Sequence, residues 1–236
     1  MKKPVVMIII AGFVIGLFVV FLLGIIPGFH ISITTRSQRL RVYLKNPASH
    51  TDWSITANTS CGTASFALPT NGMIGYLWDD TFYLVHRHTG IDIFGPTELG
   101  ETPIYAAYDG YLTRMADWKS TVILRVPSDP INPEDQIWLY YTHMADAVGN
   151  SFIVDTFPLD TVDVFVKQGT LLGYQGNYSG DPSAPVGMHL HFSIVKSDSD
   201  GSFMNETKID NTLDPSPYFG ISLRNENADS EVAICP

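Results

Sequence analysis

Residues 102–115, TPIYAAYDGYLTRM, carry two short alternating runs, TPIYAA and YLTRM, on either side of Tyr108, Asp109 and Gly110. Asp-Gly between alternating runs signals a hairpin, because both residues accept the positive φ that a tight reversal requires. The same texture extends outward. STVILRV (120–126) and QIWLYYTHM (136–144) follow, separated by the proline-rich loop PSDPINPED (127–135). VDVFVKQGTLLGYQG (162–176) and MHLHFSIVKSD (188–198) come next. Residues 65–220 show no helical periodicity, internal repeat or low-complexity tract. The expected class is mainly β, a single domain built on an antiparallel sheet.

Upstream, the character changes. Residues 5–26 form an uncharged apolar run of 22 residues. As a helix this run spans about 33 Å, against a hydrocarbon core of about 30 Å. A secretory signal has a shorter apolar region and a small-residue cleavage site, and none follows Ile26. The run therefore predicts one uncleaved N-terminal transmembrane helix. Residues 1–3 are then a short tail, 4–27 the anchor, 28–62 a polar stalk, 63–220 the domain and 221–236 a C-terminal tail. Within the stalk, TTRSQRLRVYLK (34–45) has β character.

Charge is uneven. The chain has 236 residues and a formal net charge of −10, yet its first 45 residues hold six basic groups and no acidic one. The acidic remainder repels phosphate backbones, so nucleic acid is not an expected partner. Lys2 and Lys3 favour an inside N-terminus, while Arg36, Arg39, Arg41 and Lys45 weigh the other way. Loop charge alone leaves orientation open. The very short N-terminal tail leans outward, as do the only two cysteines, Cys61 and Cys235, which can pair in an oxidising compartment.

Five of the seven histidines, His86, His88, His143, His189 and His191, lie in or beside β segments. His189 and His191 are two apart in a strand-like run, so both rings can face one side. His88 and Asp92 sit four apart in HTGID. On a straight strand they would stand about 13 Å apart, too far to share an ion. If both bind one ion, the chain must bend between them, and Gly90 is where it can; otherwise the stretch reads as a surface turn with a capping Asp. Two histidines and a carboxylate form a familiar set for catalytic zinc, with a fourth position left for water. Further histidines nearby are candidates for proton transfer.

Taken together, these stretches resemble the M23 zinc metallopeptidases, the lysostaphin and LytM-like peptidoglycan endopeptidases. The family's H-x-x-x-D is HTGID (88–92), and its strand of the form G-T-P-V-Y-A-A-x-D-G is GETPIYAAYDG (100–110). Its Y-x-H is YTH (141–143), its G-x-H-L-H-F is GMHLHF (187–192), and its closing D-P is in LDPSPYF (213–219). The resemblance covers roughly residues 66–220. It implies the family's antiparallel β core, one Zn2+ per chain held by His88, Asp92 and His191, and catalytic roles for His143 and His189. His86 falls outside the ligand register. The implied activity is amide hydrolysis in peptidoglycan or another peptide substrate, by a single-pass membrane protein with its domain outside the cytoplasm. A general exported-protein peptidase shares the same centre. A non-catalytic scaffold that activates wall hydrolases is the remaining alternative, although such scaffolds usually lack metal residues that are all filled here.

Three departures bear on substrate shape. Met188 stands where the family more often has proline. The loop 127–135 is long. KSDSDGSFMNETKIDNT (196–212) is a polar insertion, read as a solvated loop because DSDG lacks the other ligands of a calcium loop.

Overall fold

Two neighbouring strands carry the architecture, and each follows a strict inside–outside alternation. In β4 (Ile91–Phe94), Ile91 and Ile93 enter the core. In β11 (Leu190–Lys196), Leu190, Phe192 and Ile194 do so. These strands pair antiparallel, with Leu190 opposite Ile93 and His191 opposite Asp92. The computed structural model describes residues 35–83, 86–224 and 232–236. The apolar run 5–26 lies outside the described residues. Among the described residues, no helix is long and apolar enough to cross a membrane.

The remaining strands extend the sheet on both sides. They are β1 (Met73–Tyr76), β6 (Gly110–Arg114), β7 (Val122–Val126), β8 (Ile137–Thr142), β9 (Thr161–Val166) and β12 (Thr212–Leu213). The order is β1-β4-β11-β8-β7-β6-β9, with β12 also paired to β11. Every ladder among the described residues is antiparallel, as expected from the alternating pattern. One face, bearing Leu112, Val122, Leu124, Leu139, Tyr141, Phe192 and Ile194, packs into the main core. Phe66, Tyr218 and Phe219 cover it, the last two from the short helix α2 (Ser216–Phe219). The opposite face carries Asp92, His191 and Ser193. It ends in a smaller apolar cluster of Ile123, Trp138 and Val195, against which Trp118, Tyr140, Phe203 and Met204 pack.

Two local expectations are corrected. The Asp109–Gly110 turn does not close a hairpin. β5 (Pro103–Tyr105) instead pairs with β10 (Leu171–Tyr174) in a separate small sheet, while β6 pairs with β7 and β9. The carboxylate of Asp109 accepts the backbone N–H of Gln168 at 2.7 Å, so the turn passes the chain from one sheet to the other. The segment expected to have β character is the helix α1 (Thr35–Lys45). Its buried residues Arg36, Leu40 and Tyr43 recur at spacings of four and three, the helical period. Leu40 and Tyr43 pack with Met73 and Phe94.

From Thr35 onward, the segment read as a stalk is packed against the sheet. Arg36 donates to both carboxylate oxygens of Asp80, at 2.6 and 2.5 Å, and to the carbonyl of Gly75 at 3.1 Å. Ile55 belongs to the main core. At the other end of the domain, Ile221 and Leu223 are buried, and Cys235 is bonded to Cys61 across a sequence separation of 174.

Candidate metal centre

Sheet register builds half of the site. Because Ile91, Ile93, Leu190 and Phe192 point to the core, Asp92 and His191 point to the other face, directly opposite each other. His191 Nδ1 lies 2.8 Å from Asp92 Oδ1. His189 precedes β11 on the same side, with its Nε2 3.6 Å from that oxygen.

The third member arrives from outside the strands. β3 (His86–Arg87) pairs with β2 (Thr81–Tyr83) and stops before His88. The backbone N–H of His88 donates to the Asp80 carbonyl, and its own carbonyl accepts from Asp79 N–H, both at 2.8 Å. Its Nδ1 lies 2.8 Å from the Leu77 carbonyl, so Nδ1–H donates and the Nε2 lone pair is left for the site. That Nε2 is 3.1 Å from Asp92 Oδ1 and 3.1 Å from His191 Nδ1. Gly90 makes the approach possible, and through crowding rather than a special φ. A Cβ at this position would stand 2.2 Å from the Phe192 carbonyl oxygen.

His88, Asp92 and His191 are all buried and offer three donor atoms to one point. Four-coordinate zinc with bonds of about 2.0–2.1 Å sets its ligands about 3.3 Å apart. The three atoms need separate by only a few tenths of an ångström to hold such an ion. Nitrogen, nitrogen and carboxylate oxygen also suit its borderline character.

The two other expected residues border this cluster. The ring of His143 lies 4.5 Å from that of His189, centroid to centroid. His143 Nδ1 is 2.6 Å from the Tyr178 carbonyl, and His189 Nδ1 is 2.6 Å from that of Gly187. A carbonyl accepts, so both rings hold their proton on Nδ1 and keep Nε2 as a base. His143 directly follows β8 and has a φ of +72°, a conformation that L residues seldom adopt. The chain therefore leaves the strand there, and the ring turns toward His189. Gly176 lets the next loop come close, since a Cβ there would lie 2.3 Å from the His143 carbonyl oxygen. His189 stacks on Phe94 at 5.0 Å. His50 stands elsewhere, stacked on Trp53. The side chain of His86 lies outside the described residues.

Glu206, from the insertion read as a solvated loop, reaches back to the site. Its Oε1 accepts from Thr89 Oγ1 at 2.6 Å, His191 Nε2 at 2.9 Å and Ser193 Oγ at 3.1 Å. No spacing rule singles it out, because Asp198, Asp200 and Asp210 share the same stretch. Burial opposes its ionisation, yet His191 and the Thr89 and Ser193 hydroxyls hold its carboxyl down to about 2. Burial likewise opposes a charge on His191, but Glu206 and Asp92 lift it to about 10. Asp92 is held well below the usual carboxylate range by His88, His189 and His191, against its burial. His143 goes the other way. Burial, with His189 and His191 nearby, lowers it to about 3, and burial lowers His189 as well. The two rings are neutral bases at physiological pH.

Several solved structures are similar to the chain. One is the catalytic domain of the antimicrobial peptidase lysostaphin from Staphylococcus simulans, with 19% identity over 61% of this chain and 88% of that one, at a TM-score of 0.38. A longer lysostaphin structure from the same organism matches with 16% identity over 73% of this chain, at a TM-score of 0.39, and 58% of its own length is spanned. The catalytic domain of the prophage-encoded M23 protein EnpA from Enterococcus faecalis, in a single-substitution form, matches with 20% identity over 64% of this chain and 96% of that one, at a TM-score of 0.37. No protein-family model and no curated protein matches the chain.

Proposed function

We propose that the chain is a zinc metalloendopeptidase of the M23 type, hydrolysing amide bonds in peptidoglycan peptides. The observation that carries this reading is the convergence of His88 Nε2, Asp92 Oδ1 and His191 Nδ1 beside two neutral histidines. When bound there, zinc supplies Lewis acidity, polarising a carbonyl and lowering the pKa of water. The chain's own residues supply the rest. His143 and His189 each fix Nδ1–H on a backbone carbonyl, which orients the ring and leaves Nε2 free to take a proton. Their order of action is a matter of which Nε2 faces the attacking water. The ring that takes the water's proton on Nε2 thereby gains an Nε2–H, which it can return to the leaving amine, while the other, neutral with its proton on Nδ1, stands beside it as a second acceptor.

The proposed setting is outside the cytoplasmic membrane. The apolar run 5–26 supports a single-pass anchor, with 4–27 as its span. The Cys61–Cys235 bond supports an oxidising compartment. Wall peptides lie within reach of a domain held there. The filled metal positions favour an enzyme over a scaffold.

The test uses the full chain in detergent. Zinc per chain is measured, and the protein is incubated with purified peptidoglycan and, in parallel, with an unfolded protein substrate. About one zinc per chain and wall fragments whose masses name the cut bond are expected. Cleavage of the unfolded protein alone would favour the general exported-protein peptidase, and a metal-loaded chain that cuts neither would sink the enzyme reading.

A further inference from the structure

We propose that Glu206 is a positioning residue of the metal centre, presented by the loop between β11 and β12 to hold His191 as an Nδ1 donor and to balance the charge of a buried cation. The inference rests on the metallopeptidase reading and adds a residue and a loop to it.

An imidazole has two nitrogens, and only the one without a proton can ligate. Nε2–H of His191 donates to Glu206 at 2.9 Å, so Nδ1, which faces His88 and Asp92, is the nitrogen that would give up its proton to a cation. A carboxylate on the far nitrogen also raises the basicity of the ligating one. His88 is oriented differently, by the Leu77 backbone carbonyl. Glu206 moreover joins the two segments that bring ligands. Thr89, next to His88, and Ser193, two residues beyond His191, donate to the same oxygen.

Charge gives a second, independent argument. Two neutral imidazoles and Asp92 set one negative charge against a divalent cation. A buried net charge is costly unless compensated. With Glu206 the site and its ion sum to zero.

The loop is built for this presentation. Met204 N–H donates to the Lys196 carbonyl at 3.0 Å, and Phe203 packs on Trp138 at 5.5 Å and on Trp118 at 5.9 Å. On the other side of Glu206, the Asn205 side chain accepts from Thr207 N–H at 3.0 Å, and Asn211 Nδ2 donates to the Asn205 carbonyl at 2.8 Å. Asp198, in contrast, accepts backbone N–H groups of its own turn.

The experiment compares the full chain in detergent with its Glu206→Ala and Glu206→Gln variants. Zinc affinity is read by competition with a chromophoric chelator. The state of the His191 ring is read from long-range 1H–15N spectra of the zinc-loaded protein. Glu206→Ala is expected to weaken zinc binding by about 10–100-fold, and Glu206→Gln, which keeps an acceptor but no charge, by less. The His191 Nε2–H signal of the parent should be displaced or lost in Glu206→Ala. Parental affinity in both variants, with an unchanged His191 ring, would overturn the inference and leave the peptidase reading standing. If the alanine variant does not fold, parental affinity in Glu206→Gln overturns it alone. A parent chain that takes up no zinc overturns both.

Discussion

Replacing His88 by alanine removes one of three donor atoms, whereas replacing His143 removes a base that lies beside them. The two changes should therefore fail differently. His88→Ala is expected to lose both zinc and cleavage. His143→Ala should keep its zinc and cleave about 10²–10⁴-fold more slowly. Metal content measured beside the cleavage rate decides, and a His88→Ala protein with full zinc would refute the ligand set. Protons give another measurement. In the metal-free protein His191, lifted to about 10, carries a proton on each nitrogen at neutral pH. A cation entering at Nδ1 must expel one of them. Zinc affinity is then expected to fall by up to about tenfold for each pH unit below that value. Titration calorimetry in buffers of different ionisation enthalpy should count close to one proton released near pH 8, and none released would sink this reading. The residues that meet at the candidate site were legible partly from spacing and partly, for His143 above all, from the family resemblance. His189 and His191 share a strand face, and HTGID brackets a glycine. Glu206 was not legible. Which of the four carboxylates in residues 196–212 folds back depends on how Phe203 and Asn205 anchor the loop, and no local pattern carries that information.

Among the elements, the helix α1 has the largest consequence. Its Arg36 and the Asp80 carboxylate are both nearly inaccessible, with side chains 3% and 7% exposed. Asp80 also accepts Leu77 N–H at 2.7 Å, and the Leu77 carbonyl is the group that orients His88. Arg36→Ala would leave a buried carboxylate without its cation, a change that costs about 3–5 kcal/mol. Zinc binding should weaken with it, because the Leu77–Asp80 turn supports the His88 ring. Urea unfolding beside the chelator competition checks both, and an unchanged midpoint would refute the coupling. A fragment cut at residue 63 should behave like this variant or worse. Threonine, valine and tyrosine give this segment β propensity, while the informative feature is the helical spacing of Arg36, Leu40 and Tyr43. At Asp109–Gly110 the chain changes direction without the positive φ of a hairpin turn and with other strand partners than those expected. A local signal reports that the chain reverses, not which strand it meets next. The strands themselves were legible wherever one face is core, as in β8 and β11.

Over the whole molecule, the Cys61–Cys235 bond joins the start of the domain to its end. Closing a loop of 174 residues restricts the unfolded chain, which in the chain-entropy account is worth about 5 kcal/mol. The double variant Cys61→Ser, Cys235→Ser is expected to lose about 2–5 kcal/mol in urea unfolding. A midpoint equal to that of the oxidised parent would show that the packing of Ile55, Ile221 and Leu223 already holds the ends together. Exposed stretches such as residues 131–135 and 179–185 lie between the two cysteines. A protease that nicks either one leaves both pieces fastened by the same bond, with Asp92 and His191 still on hydrogen-bonded strands. On a reducing gel such a molecule runs as two fragments, and without reductant as one. A molecule closed by such a bond is cut once and stays whole.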